Sequence, residues 1–248
     1  YSLICCLFLE LSVKIWTMEK VIQTENEKPV FAKGWCFAKI FFMFFIGCII
    51  GTYYEEILNL IRTGVWESRQ GIIYGPFNPI YGFGFAGFAL LLGKNNDTRP
   101  WWKTYLYSCL IGGVAEYSLS LIGEVLFHAN SWDYSNMPLN IGGRTTIPFM
   151  LVWGLGGLVF MRFIYPLLSK LIEMIPYKVG KILLPILVVF MCLNMFVSYT
   201  ALFRQAQRLD GKPPMTFLGE IYDKVYTDEF LAKIYANMNH DHIGDNPD

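Results

Sequence analysis

Five apolar segments constrain the fold of this chain more than any other feature. A helix needs about 20 mainly apolar residues to cross the hydrocarbon core of a bilayer. The second segment is the shortest of the five and opens with Pro76 and Pro79. The pattern predicts an all-α, polytopic membrane helix bundle with about five transmembrane helices. The segments are residues 35–59, 76–93, 101–127, 146–168 and 181–203.

The composition supports the same class. Hydrophobic residues make up 54% of the chain and charged residues only 16%, whereas a typical soluble domain has about 25% charged residues. A single soluble core could not bury so much apolar surface. Because the 20 basic and 20 acidic residues balance, nothing in the net charge points to a nucleic-acid partner. The predicted partner is the lipid bilayer.

The six cysteines predict neither a metal site nor a disulfide framework. They lie in or beside apolar segments and lack the spacing of metal ligands, so we interpret them as small apolar side chains. The sequence also contains no HExxH, GxSxG, Walker A or paired CxxC motif. It therefore assigns no cofactor. The cysteines are Cys5, Cys6, Cys36, Cys48, Cys109 and Cys192.

We predict three parts along the chain. Residues 1–17 are interpreted either as a weak extra helix or as upstream sequence that is not translated, because Met18 begins a more conventional start. The parts are an N-terminal arm (1–34), a transmembrane bundle (35–203) and an amphipathic C-terminal tail (204–248).

The C-terminal tail is predicted to contain two short helices. Apolar residues recur at helical spacing after Pro213 and Pro214, and Thr227 with Asp228 is a capping signal for the second helix. This pattern is typical of a surface helix pair that lies against the bundle or against lipid headgroups. A partner-binding arm is the alternative.

Basic residues predict the orientation in the membrane. Short cytoplasmic loops carry an excess of Lys and Arg. If the N-terminal arm is cytoplasmic, the inner segments hold most of the basic residues, among them Lys33, Lys94 and Lys170. We therefore predict a multi-pass protein of the cell membrane with a cytoplasmic N-terminus. Two polar loops, residues 66–84 and 128–144, then share the outer face.

A carboxylate inside the third apolar segment is the most informative single residue. An ionised side chain at the bilayer centre costs about 2.5–3.5 kcal/mol on insertion scales. Glu116, Ser120 and Glu124 are spaced four residues apart and share one broad helix face. The two carboxylates are separated by roughly 12 Å along the helix. Each therefore needs its own partner, which is either structural or functional.

The two polar loops supply the other candidate site residues. Arg69 and Arg144 either pair with the glutamates or leave a cation for an anionic group, and both readings stay open. His128 could act as a base, although an interfacial histidine is the commoner case. The predicted substrate-binding residues are Glu55, Arg69, Tyr74, Tyr81, Glu116, Tyr117, Ser120, Glu124, Trp132, Asp133, Tyr134, Asn140 and Arg144.

Several short strings in these loops and in the third apolar segment resemble a bacterial family. They include Tyr74-Gly75-Pro76-Phe77, Glu116-Tyr117, Trp132-Asp133-Tyr134-Ser135 and Gly143-Arg144. In this order they are similar to the "putative ABC-transporter permease" proteins (CmpB-like, type IV), over residues 35–168. The family pattern has arginine directly before the glycine of the first loop. This chain has Gln70 there and Arg69 one residue earlier.

The resemblance implies a transport permease that works with an ATPase subunit or as a homo-oligomer. The residues themselves leave three functions open. The first is an outward-facing pocket that binds a small solute or a lipid-like substrate during transport. The second is a membrane-embedded enzyme that acts on lipid or isoprenoid-linked groups, with Glu124, Asp133 or His128 as acid or base. The third is a non-catalytic membrane subunit or scaffold.

Overall fold

The computed structural model describes residues 29–127 and 133–236, and within this part the fold is helical. Its two short strands form one antiparallel hairpin, in which Asn140 pairs with Thr146 and Ile141 with Thr145. The helices are α1 (Phe37–Thr63), α2 (Pro79–Leu92), α3 (Trp101–Phe127), α4 (Ile147–Glu173), α5 (Tyr177–Leu209), α6 (Phe217–Val225) and α7 (Asp228–Ile234), and the strands are β1 (Asn140–Ile141) and β2 (Thr145–Thr146).

Four of these helices are long and apolar enough to cross a membrane, namely α1, α3, α4 and α5. The predicted all-α membrane fold is confirmed. The helix in the second apolar segment, α2, has 14 residues and is therefore about 21 Å long. That is shorter than the roughly 30 Å hydrocarbon core.

The chain forms two compact units. The first contains Ala32–Ile40 and Gly87–Met174, and the second contains Phe41–Ala86 together with the described parts of 24–31 and 175–248. The predicted division into arm, bundle and tail stays a prediction, and the expectation for residues 1–17 lies outside the described residues.

Close packing of α3 against α4 builds the first unit. Gly112 faces Trp153, Gly154 faces Cys109, and a Cβ on Gly157 would overlap the Ser108 hydroxyl. Small residues at such crossings let helix backbones approach in a membrane, where little hydrophobic force drives helices together. The glycines therefore set the geometry of the α3–α4 pair and of the hairpin that joins its ends.

A π-helical turn at Phe160–Ile164 lets α4 continue past Pro166. The Tyr165 N–H donates to the Phe160 carbonyl, five residues back. Because proline has no N–H, a single wide turn before it accommodates the lost hydrogen bond. Pro166 thus lies inside a continuous span. A second proline, Pro176, is the N-cap residue directly before α5.

In the second unit, the chain after α1 turns back along that helix. The Asn78 N–H donates to the Cys48 carbonyl at 3.0 Å, and Cys48 lies near the middle of α1. A Cβ on Gly82 would overlap the Cys48 sulfur, and one on Gly47 would overlap Phe85. The start of α2 therefore runs antiparallel to α1 from its middle, which explains why α2 is short.

The two tail helices pack on α5 and on the first loop. The Thr216 and Thr227 hydroxyls cap α6 and α7 by accepting from the Gly219 and Phe230 N–H groups. The predicted cap at Thr227 is confirmed. A buried cluster joins these helices to the rest of the unit and consists of Ile73, Ala201, Tyr226, Leu231 and Tyr235.

Candidate functional site

The irregular part of the first loop is held by two polar side chains of α5. The Tyr74 N–H donates to Asn194 Oδ1 at 3.1 Å, and Asn194 Nδ2 donates to the Tyr74 carbonyl at 2.6 Å. The Ile73 N–H donates to Ser198 Oγ at 2.8 Å. Asn194 and Ser198 are buried. They satisfy the hydrogen-bonding groups of the irregular loop backbone beside an apolar helix, where an unpaired amide group is costly.

The first polar loop was predicted to span residues 66–84, but its irregular backbone ends at Asn78. Pro79 begins α2, where its missing N–H is not needed. Asn78 Oδ1 accepts from the Ile80 N–H at 3.2 Å, and Asn78 Nδ2 donates to the Arg69 carbonyl at 3.2 Å. Asn78 therefore connects the loop to the first turn of α2.

The acidic and basic candidates of the second unit have local partners. Glu55 accepts a hydrogen bond from the Tyr81 hydroxyl. Arg69 donates to Asn59, and its guanidinium lies 3.2 Å from Glu67. The neighbouring glutamate, Glu56, is the more deeply buried of the α1 pair, so the face toward the interior carries Glu56 rather than Glu55.

Tyr74 links the first loop to the tail. Its hydroxyl oxygen lies 2.8 Å from that of Tyr226. Burial raises the pKa of Tyr226, and the hydrogen bond to Tyr74 raises it further. The Ser68 hydroxyl donates to the Ile234 carbonyl at 2.9 Å. The first loop is thus covered by α6 and α7.

In the first unit, Glu116 is buried and holds the second loop. Its carboxylate accepts from the Tyr134 hydroxyl at 3.1 Å and from the Thr145 hydroxyl at 2.6 Å. The Tyr134 ring stacks on Phe149 with 5.0 Å between centroids. Burial raises the pKa of Tyr134, and the bond to Glu116 adds to this. Both carboxylate oxygens of Glu116 therefore accept hydrogen bonds that hold the second loop and the hairpin in place.

The second carboxylate of this face pairs with the loop arginine. Glu124 and Arg144 form an ion pair. The Arg144 guanidinium also lies over the Tyr117 ring, 5.8 Å from its centroid. This is the structural pairing that the sequence left open for Arg144.

The turn before the hairpin is shaped by its own polar side chains. Asp133 accepts from the Ser135 N–H at 2.8 Å and from the Ser135 hydroxyl at 2.6 Å, and these bonds lower the pKa of Asp133. Asn140 accepts from the Gly143 N–H at 3.1 Å. Gly142 and Gly143 have φ of +60° and +68°, a conformation that glycine adopts without strain.

These groups surround a polar cavity of about 170 Å³. Two of its lining side chains are acidic and one is basic, so it suits a small polar molecule that can donate hydrogen bonds to the carboxylates. All of it belongs to the first unit. The lining residues are Ser120, Glu124, Asp133, Ser135, Gly142, Gly143 and Arg144.

The structure brings the second-loop candidates together around this cavity. Tyr117, Tyr134 and Asn140 support its walls. The candidates of α1, the first loop and α2 belong to the second unit, and they are Glu55, Arg69, Tyr74 and Tyr81. A pocket shared by both loops, and its position on the outer face, stay predictions. Trp132 and His128 lie outside the described residues, so the enzyme alternative that uses His128 stays a hypothesis.

Sequence reasoning missed several buried polar residues that matter for the two loops. Two of them lie inside the fifth apolar segment, where a polar residue was the available signal, and the third directly follows Arg144, where the sequence offered no such signal. The described residues contain no group of three or more metal-ligating side chains that could hold a metal ion. The missed residues are Thr145, Asn194 and Ser198.

Residues 42–199 match the family described as "Putative ABC-transporter type IV". The match covers more than half of the chain. The protein belongs to this family. No match was found among curated proteins or among solved structures.

The part shared with the type IV family includes both loops and all four long apolar helices at least in part. It ends inside α5 and leaves out α6 and α7. Membership and the apolar helices together place the protein in a membrane as a component that fits a transporter. The cavity at the second loop lies wholly within the matched residues.

Proposed function

We propose that this protein is the membrane component of an ABC-type transporter and that the cavity at the second loop binds a small polar solute. One observation carries the proposal. A cavity lined by charged, hydroxyl and glycine residues lies at the end of two apolar helices, inside the range that matches the transporter family. Convergent polar groups in a concave site give a ligand its orientation and specificity, and these walls suit a polar molecule.

The chemistry of the walls favours a solute with hydrogen-bond donors. Glu124 and Asp133 present carboxylate oxygens. Arg144 is engaged with Glu124 and with the Tyr117 ring, so it orients Glu124 and limits the net charge. A small solute with an amine or with several hydroxyl groups would match these walls better than an anion.

The energy source in this proposal is a separate ATPase. The family description names an ABC transporter, and among the described residues no domain outside the helices is available for nucleotide hydrolysis. We further propose the orientation with a cytoplasmic N-terminus. The solute cavity then opens on the outer face, as the distribution of basic residues predicts.

The test uses two exposed aspartates of the first unit. Asp133→Asn removes a cavity charge and keeps the side-chain shape, whereas Asp97→Asn is the matched control in the α2–α3 connection. The full-length protein is purified under native conditions, and retained small molecules are identified by mass spectrometry. We expect a polar solute with the wild type and with Asp97→Asn, and several-fold less with Asp133→Asn. Equal retention in all three would refute a solute site at Asp133.

A scaffold subunit is the second candidate, and one observation favours it. The charged side chains of the site have partners within the protein, since Glu116 is bound by two hydroxyls and Glu124 by Arg144. A scaffold should copurify with an ATPase in a fixed ratio. The same ratio in both aspartate variants, with no solute retained in either, would support the scaffold over the solute-binding component.

A further inference from the structure

An apolar groove of about 270 Å³ lies between the end of α2 and the first half of α3. Leu91 and Leu110 are each 57% exposed, so the groove opens to the surroundings of the protein. Since α3 is a candidate membrane span and α2 is a short apolar helix, we expect those surroundings to be lipid tails. The groove is larger than a cavity of about 150 Å³ that accommodates benzene. Its lining residues are Leu91, Leu92, Tyr107, Leu110 and Ile111.

Two exposed lysines stand at one end of this groove. Lys94 follows the lining residue Leu92 by two positions, and Lys103 precedes Tyr107 by one helical turn on the same face of α3. Neither lysine is in an ion pair among the residues that the structure describes. Their charges are therefore available to an anion from outside.

The connection between α2 and α3 adds to the positive charge. Arg99 donates to the Leu92 and Lys94 carbonyls, each at 2.7 Å. This holds the guanidinium at the C-terminus of α2, where a cation is favourable. Asp97 is the one acidic residue of the connection from 93 to 100. The end of the groove at which the lysines lie, here called its mouth, is thus net positive.

An aromatic side chain marks the depth of this mouth in the membrane. Trp102 is 48% exposed, and Lys103 Nζ lies 5.3 Å from the centroid of its ring. Tryptophan is enriched at the level of lipid headgroups. A lysine that extends from an interfacial tryptophan reaches the phosphate layer, while the groove below it faces acyl chains.

We propose that this groove binds one anionic phospholipid. Its phosphate is held by Lys94 and Lys103, and an acyl chain lies against Leu110. A zwitterionic lipid would fill the groove equally well but would gain less from the lysines. The site differs from the solute cavity, because Ile111 and Ser120 are separated by roughly 13 Å along α3. It does not depend on what the protein transports.

The first experiment tests the role of the lysine charges. It uses the full chain in detergent with equal amounts of phosphatidylglycerol and phosphatidylcholine. Bound lipids are counted by native mass spectrometry. A lysine near an anionic surface strengthens binding roughly fivefold. We therefore expect Lys94→Gln and Lys103→Gln each to lower the preference for phosphatidylglycerol about fivefold. Lys170→Gln, which removes an exposed lysine of α4 in the same unit, should leave it unchanged.

The second experiment distinguishes binding of the acyl chain from binding of the headgroup. Leu110→Trp fills the groove and should reduce retention of both lipids, whereas Leu155→Trp, at an exposed position of α4, should not. Excess inorganic phosphate should fail to displace the bound lipid. An unchanged lipid preference in both lysine variants, an equal loss in Lys170→Gln, retention of both lipids by Leu110→Trp, or displacement by phosphate alone would each overturn the proposal.

Discussion

The hydroxyl oxygens of Tyr74 and Tyr226 lie 2.8 Å apart, and this contact joins the first loop to a tail that the family match does not include. Tyr74 has its backbone bound to Asn194 on α5, while Tyr226 immediately follows α6. The pair therefore connects a loop inside the family match to a segment that follows it. Movement of the tail would expose the loop to solvent or to a partner.

Tyr226→Phe should loosen the first loop without unfolding the unit. It removes one partially buried hydrogen bond, worth about 0.5–1.5 kcal/mol, and keeps the aromatic ring in its cluster. Amide hydrogen exchange of residues 70–78 should become severalfold faster.

Tyr222→Phe is the control for that experiment, because the Tyr222 hydroxyl contacts Thr200 on α5 rather than the loop. Exchange at residues 70–78 in this variant should match the wild type. Equal acceleration in both variants would mean that the tail acts as a whole and that the Tyr74 contact has no separate role.

Docking of the tail should weaken in acid. Hydrogen bonds from Arg204 and Arg208 lower the pKa of Asp223 from 3.8 to about 2. Because this folded-state pKa is depressed, the stabilisation is fully present above about pH 4 and is lost as the pH falls toward 2. Limited proteolysis between pH 5 and pH 2 with an acid-tolerant protease should show cleavage after 210 rising in that window.

Asp223→Asn should remove this acid dependence. Its tail should be cleaved more readily than the wild-type tail at pH 5, with little further change on acidification. The matched control is Asp210→Asn, since Asp210 is exposed and pairs only with Lys212 among the described residues. A wild-type profile in Asp223→Asn would contradict the assigned role of the arginine pair.

Glu116→Ala should destabilise the first unit more than Glu116→Gln. Alanine leaves the hydroxyls of Tyr134 and Thr145 without their acceptor in a buried site, at about 1–3 kcal/mol for each unsatisfied group. Glutamine keeps one carbonyl oxygen as an acceptor, and its amide N–H can donate a hydrogen bond to the Thr145 hydroxyl. Thermal unfolding in detergent should rank wild type, Gln and Ala in falling order of Tm. A Tm for Gln as low as that for Ala would indicate that the charge itself is required.

Two adjacent glycines of α4 should respond to alanine in opposite ways. Gly157→Ala places a methyl group against Ser108 and should separate α3 from α4, at a cost of about 1–3 kcal/mol. Gly156 faces open space, so Gly156→Ala should be neutral or stabilising by up to about 1 kcal/mol. Thermal unfolding of both variants measures the difference. Similar losses would show that helix flexibility, rather than close packing, requires glycine.

Local patterns were sufficient to predict much of the fold. The apolar segments predicted the helices, and Thr227 marked the start of α7, because helix length and capping depend on neighbouring residues. The fifth segment was predicted to end at 203, whereas α5 ends at Leu209. Arg204 and Arg208 extend it, since Asp223 of α6 satisfies their charges. That partner is distant in sequence and invisible to a local pattern.

In the candidate site too, some features could be predicted from local sequence and others only from the tertiary structure. Glu116 could be recognised because a carboxylate in an apolar helix needs a partner, but the identity of that partner could not. Tyr134 and Thr145 lie 18 and 29 residues away, and only the hairpin at 140–146 carries both to the same carboxylate. The pairing of Arg144 with Glu124, rather than with another acid, also depended on this turn.

The sequence by itself determined that this protein is helical, belongs in a membrane and carries polar groups at the ends of its apolar helices. Those properties follow from composition and from periodicity along a single helix. Only the tertiary structure decided that α2 starts beside the middle of α1 and that the second loop encloses a cavity. Both depend on which buried donor meets which acceptor, and that choice is made by packing between segments distant in sequence, where leaving a polar group unpaired costs the most.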